Sequence, residues 1–168
     1  MSVVCCKIKG DKISIASDSI RVRGYGQEKG DRSKYAKLVQ VNGMTIGATG
    51  LCYEIAMFRV FCSTRKPKRA DDDSILIFLK EFLEWKKGLT GKFEILNDYI
   101  LIFNKHAFLV CGFYVTEITT YEAIGAGMDF ALSALYLGHG VKKAVEVACE
   151  LSVYCEKPIN SFVVKRGT

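Results

Sequence analysis

Several things are missing from this 168-residue chain, and each absence removes a class of function. No apolar run approaches the roughly 20 residues that a membrane span needs, and the first residues lack the charged-then-apolar layout of a secretory leader. The expectation is a protein that stays where it is made, in the cytoplasm, with no membrane partner. The seven cysteines form no C-x-x-C pair. They are odd in number and lie in apolar runs, so reduced, buried thiols are expected rather than disulfides or a metal cluster. The two histidines, His106 and His139, have no partner at metal-ligand spacing, and no metal or cofactor is expected. The glycine-rich stretch 24–31 lacks the G-K-[ST] ending of a phosphate-binding loop. Linkers, internal repeats and low-complexity segments are absent too.

What remains is an ordinary globular composition, with 49% hydrophobic and 25% charged residues. A chain of this length is most simply one domain, residues 1–168, able to bury about two-thirds of its unfolded surface. The net charge of +6 is spread along the chain apart from Arg65-Lys66-Pro67-Lys68-Arg69. That cluster ends one expected helix and precedes Asp71-Asp72-Asp73 at the start of another, an arrangement that helix dipoles favour. Basic residues are not interleaved with exposed aromatics, so nucleic acid is not the expected partner.

The chain opens with two apolar runs, residues 3–8 and 13–16, around the polar turn Lys9-Gly10-Asp11-Lys12, which reads as a β-hairpin. A strand starting at residue 3 draws the amino terminus toward a core, where a charged ammonium is costly unless it has a role. Ser2 is small enough for Met1 to be clipped off. The serine would then hold a hydroxyl nucleophile and, in its own α-amine of pKa roughly 7.7–8.0, a base for it.

Further along, residues 20–23 alternate, and residues 35–41 and 44–50 flank Asn42-Gly43, a strong hairpin signal. Residues 51–64 and 72–87 carry apolar positions at helical spacing, with Phe78, Phe82 and Trp85 read as core. Strands are expected over 97–103, 107–111, 114–118 and 121–124, helices over 128–137 and 141–154, and a last strand over 160–164. Strands, two helices, strands, two helices and a strand indicate an α+β domain of antiparallel sheets with helices outside them. Cys5 and Cys6 fall on opposite faces of the first strand.

Four segments in order, Ile13-Ser14-Ile15-Ala16-Ser17-Asp18, Tyr35-Ala36-Lys37-Leu38, Ile46-Gly47-Ala48-Thr49-Gly50 and Ala123-Ile124-Gly125-Ala126-Gly127, resemble the proteasome β-subunit and HslV-like peptidase family of N-terminal-nucleophile hydrolases. The resemblance spans Ser2 to about Val164. It implies a four-layer α-β-β-α sandwich of two antiparallel sheets flanked by helices. It also implies peptide-bond cleavage with Ser2 as the nucleophile, Asp18 and Lys37 beside it, and Gly47, Gly50 and Gly127 around the oxyanion and substrate. Gly47 is where it implies the backbone N–H for the oxyanion. A homo-oligomeric ring, polypeptide substrates and an AAA+ unfoldase partner follow from the same resemblance.

The chain departs from that pattern in places. Ser2 replaces threonine, and Ala126 stands where a serine is usual. A longer loop makes Lys34 a rival to Lys37, although Lys37-Leu38-Val39 leads directly into a strand. A retained Met1 would leave Ser2 without a free amine. The alternatives are therefore an inactive ring-forming relative, a small-amide hydrolase on the same fold and, last, a basic nucleic-acid binder.

Overall fold

The computed structural model describes residues 1–23, 26–28 and 36–166. The chain runs β1 (Val4–Lys9), β2 (Lys12–Ser17), β3 (Arg21–Arg23), β4 (Gly26–Glu28), β5 (Leu38–Val41), β6 (Met44–Thr49), α1 (Cys52–Thr64) and α2 (Asp72–Thr90). It continues through β7 (Asp98–Phe103), β8 (His106–Cys111), β9 (Tyr114–Glu117), β10 (Tyr121–Ile124), α3 (Met128–Tyr136), α4 (Val141–Leu151) and β11 (Asn160–Lys165).

Local chemistry fixes these boundaries. Asn42 and Gly43 both take positive φ, 49° and 76°, as a type I′ turn requires, and set Val41 opposite Met44. Asn104 and Lys105 do the same between β7 and β8, which brings His106 into the strand. The side chain of Asp71 accepts the Ser74 N–H at 2.8 Å and starts α2, while Gly91, at φ 73°, ends it.

Two antiparallel sheets result, with strand orders β10-β1-β2-β11 and β5-β6-β7-β8-β9. Val4, Cys6, Ile13, Ile15, Leu38, Ile100 and Ile102 fill the space between them. Outside the five-stranded sheet, α1 and α2 bury Phe58, Phe61, Phe78 and Phe82 against Tyr99 and Leu101. Outside the four-stranded sheet, α3 and α4 pack Ala131, Ala134, Ala144 and Ala148 on Val3, Cys5 and Ala16. The order helices, sheet, sheet, helices is the expected four-layer α+β sandwich. Cys5 and Cys6 face different cores, as strand alternation demands.

Three readings of the sequence need correction. The glycine-rich stretch 24–31 is not all loop, because β4 lies within it and pairs with β3; the rest of that stretch, with Lys34 and Tyr35, lies outside the described residues. Helix α4 stops at Leu151, where Ser152 turns to β/extended backbone, and does not reach residue 154. The thiols are free, but they are not all buried: Cys52 is exposed, and Cys111 and Cys149 are half-buried. Cys52 caps no core because it begins α1 at the lip of a cleft.

Phe58 is 1% exposed and its ring meets those of Phe78, Phe82 and Tyr99 at 6.1, 4.9 and 4.5 Å. Replacing it with alanine is expected to cost about 3–5 kcal/mol, read as a lower denaturation midpoint in urea with an unchanged slope.

Candidate active site

The start of the chain leads directly into β1 of the four-stranded sheet, and hydrogen bonds from several elements hold it there. Asp18, fully buried at the end of β2, is the centre of this arrangement. Its Oδ1 accepts the Val3 N–H at 2.9 Å and the Lys37 Nζ at 2.6 Å. Its Oδ2 accepts the N–H groups of Ile20 at 3.0 Å and Glu156 at 3.2 Å. One carboxylate thus joins the first strand, the turn after β2, the segment after α4 and the approach to β5. Burial is the dominant influence on Lys37 and draws its pKa below the ordinary lysine value, against the opposing pull of Asp18.

Ser2, which precedes the Val3 N–H held by Asp18, is 4% exposed and shares a cleft with Lys37 and the half-exposed Met1. The Ser2 carbonyl accepts the Gly127 N–H at 3.1 Å. Gly125, at φ 92°, lies so close to that carbonyl that a Cβ there would overlap it. Ser2 itself has φ 142°, a strained value for a residue with a side chain. That dihedral is defined by the Met1 carbonyl and ceases to exist once Met1 is removed.

Ser2, Lys37, Ile20, Ala48, Gly50 and Leu51 line one cleft of about 320 Å³. The structure therefore brings Ser2, Asp18 and Lys37 together and puts Gly50 beside them. Gly47 and Gly127 lie elsewhere. Gly47 is inside β6, between β5 and β7, and faces the inter-sheet core, where a Cβ would come within 2.6 Å of Val4 Cγ1. Gly127 holds the Ser2 carbonyl and packs on Cys155, so it positions the chain start and does not face the cleft.

A second buried polar network supports the opposite lip. Asn97 Oδ1 accepts the Leu51 N–H at 2.5 Å and its Nδ2 donates to the Leu51 carbonyl at 3.0 Å, which locks the backbone just after Gly50. Gly50 has φ 119° and runs against the Asn97 side chain, leaving no room for a Cβ. The Asn97 N–H is in turn held by Glu54 Oε1 at 3.0 Å. Glu54 also accepts from Leu96 N and the Tyr99 hydroxyl, at 3.0 and 3.2 Å, and pairs with Lys86. Burial, with Glu54 beside it, raises the Tyr99 pKa well above its usual value.

Sequence reading passed over Glu54, Lys86 and Asn97. The signal was present: Glu54 shares an apolar stripe with Phe58 and Phe61, and Lys86 extends the stripe of Ile75, Leu79 and Phe82. A carboxylate and a cation, each on the buried face of an adjacent helix, point to a matched internal pair.

Two stacked antiparallel sheets between two pairs of helices are the fold of the proteasome β-subunit and HslV-like proteins. The solved structures most like this chain include BPH from Thiobacillus denitrificans in complex with epoxomicin, at 21% identity and a TM-score of 0.86 over 99% of this chain and 100% of that one. Another structure of Thiobacillus denitrificans BPH matches at 22% identity and a TM-score of 0.83, covering 98% of each chain. The eukaryotic HslV from Trypanosoma brucei matches at 18% identity and a TM-score of 0.68, over 97% of this chain and 99% of that one. At these identities the likeness establishes the fold. No family model and no curated protein matches the chain.

Lys86→Met is expected to destabilise the protein by about 3–5 kcal/mol, because it strands the Glu54 charge in the interior. Pairing it with Glu54→Gln should recover part of that loss in urea unfolding, since the uncompensated charge is then gone.

Proposed function

We propose that this protein is a peptidase whose nucleophile is Ser2 Oγ, exposed by removal of Met1. The observation that carries the reading is the buried Lys37–Asp18 pair, whose lysine lines the same cleft as Ser2. In this reading the free α-amine of Ser2 takes the hydroxyl proton as Oγ attacks the peptide carbonyl. The Lys37 cation favours the developing alkoxide, and Asp18 holds that cation in place. The tetrahedral oxyanion is assigned to the backbone N–H of Gly50 rather than Gly47, because Gly50 borders the cleft and Asn97 fixes the backbone that follows it. Collapse expels the amine product, which takes up the proton held by the α-amine, and leaves an ester on Ser2. Water, deprotonated by the same amine, then hydrolyses the ester.

The fold likeness supports extending this reading to polypeptide substrates, to a homo-oligomeric ring and to an AAA+ unfoldase that feeds it in the cytoplasm. BPH, solved with epoxomicin, makes that compound a useful probe here. Inhibition of peptide hydrolysis by epoxomicin would support a shared cleft chemistry.

A second reading, an inactive ring-forming protein, is favoured by Met1 covering Ser2 and by Ala126 in place of a hydroxyl residue. Intact-mass measurement separates the two: the peptidase reading requires a purified chain lighter by one methionine.

Ser2→Ala should lower hydrolysis of a fluorogenic peptide by about 10⁴-fold or more while leaving assembly, read by light scattering, unchanged. Retained activity in that variant would remove Ser2 from the mechanism.

The rate should also depend on pH in a bell shape. It rises as the α-amine loses its proton near roughly 7.7–8.0, and falls as Lys37 loses its own below the usual lysine value of roughly 10.4. Initial rates across about pH 6 to 11 test this, and a plateau persisting above the ordinary lysine pKa would contradict the role given to Lys37.

A further inference from the structure

Six lysines gather at the end of the four-stranded sheet remote from Ser2. Strand pairing places Lys9 opposite Lys12 and Lys12 opposite Lys165, so three like charges stand side by side on one face of the sheet. The neighbouring row on that face is Lys7, Ser14 and Val163. It is the face that carries Val3, Cys5 and Ala16 under α3 and α4; further along it, Lys9, Lys12 and Lys165 are exposed. Lys142 and Lys143, at the first turn of α4, border the same ground.

A groove of about 510 Å³ runs here between the α3–α4 connection and β11, with Lys7, Lys9, Lys142 and Lys143 in its walls and no carboxylate among its lining residues. Lys7 Nζ is committed to the carbonyls of Gly138 and His139, at 3.1 and 2.8 Å, and Lys143 pairs with Glu146 at 2.9 Å. Among the described residues, Lys9, Lys12, Lys142 and Lys165 make no ion pair, and all four are exposed. Like charges directly opposite in a sheet are destabilising. Asp11, in the turn between Lys9 and Lys12, pairs with neither of them among the described residues, and an anion from outside the chain would relieve the repulsion.

We propose that this groove docks an extended, acidic segment of a partner protein. The two rows lie one two-residue step apart, roughly 7 Å, which is also the spacing of same-side residues along an extended peptide. Glutamates or aspartates at alternate positions would meet Lys9, Lys12 and Lys165 in one row and the Lys7 ammonium and Ser14 hydroxyl in the next, while the exposed Val163 offers apolar contact. Single-stranded nucleic acid fits less well, because it needs aromatic faces for its bases. The one phenylalanine lining the groove, Phe162, is packed with the inter-sheet core. The groove and the cleft sit at opposite ends of β1, about 20 Å apart for a six-residue strand. Occupancy of one therefore leaves the other open, and this proposal does not depend on the peptidase reading.

The test is fluorescence anisotropy with a short labelled peptide of alternating glutamate and valine, set against the same peptide with glutamine for glutamate and against an oligodeoxythymidine of matched charge. The parent protein should bind the glutamate peptide, not the glutamine one. Lys9→Gln/Lys12→Gln/Lys165→Gln should weaken that binding at least about tenfold, and raising salt from about 50 to 200 mM should weaken it in the parent. Relief of the cross-strand repulsion should also raise the melting temperature of the triple variant, which separates lost docking from lost folding. Equal binding by parent and triple variant, no binding by the parent, a lowered melting temperature, or tighter binding of the oligonucleotide through the same lysines would each overturn the proposal.

Discussion

The Asp18 carboxylate is the constraint on which the rest of the arrangement depends. A charge buried to zero exposure is tolerable only when its lone pairs are filled and a counter-ion is close. Here three backbone N–H groups and one ammonium fill them. Three of those donors, from Val3, Lys37 and Glu156, lie 15 residues or more from Asp18 in sequence, so the carboxylate can be satisfied only when both sheets and the segment after α4 are in place. The start of the chain is ordered by the same event that brings Lys37 to the cleft it shares with Ser2. Fold and site are in this sense one cooperative structure, and a lesion at Asp18 would affect both.

The Glu54 network performs the corresponding task on the other lip, with a different division of labour. Asp18 touches the Lys37 ammonium directly. Glu54 acts at one remove, holding the Asn97 backbone so that its amide grips Leu51, which in turn fixes the path of Gly50. Steric exclusion completes the clamp: Gly50 and Gly125 approach Asn97 and Ser2 so closely that only hydrogen fits. A site built in this way has little freedom to adjust, which suits chemistry that depends on donors already aimed at a developing charge.

The layered architecture was legible because its signals are local. Asn42-Gly43 sets a hairpin, Asp71 starts a helix, and period-two and period-three-to-four patterns assign faces. Ser2 drew attention by itself, ahead of a strand that starts at once, but Asp18 and Lys37 were legible beside it only through resemblance. Nothing in the spacing of Ser2, Asp18 and Lys37 along the chain announces that they converge, since the convergence is made by the stacking of the two sheets. Gly47 and Gly50 show the limit most clearly. Both lie in one short segment and read alike, and only the pleat decides that one faces Val4 and Ile15 while the other leaves the strand to border the cleft. Glu54 and Lys86 were hidden for the opposite reason: attention to apolar periodicity passes over the single polar residue on a buried stripe, although that residue carries the information.

The position of Met1 ties these threads together. A methionine ahead of Ser2 does more than block an amine. It gives Ser2 a φ of 142°, in a region that residues with side chains avoid, while Gly127 and Gly125 fix the Ser2 carbonyl and Asp18 fixes the next N–H. Everything on the carboxyl side of Ser2 Cα is thus held, so the mismatch falls on the one bond toward Met1. Removing that residue abolishes the strained dihedral, frees the amine and uncovers the cleft in a single step. The strain at Ser2 therefore belongs to its bond with Met1, and a chain processed to residue 2 would not carry it.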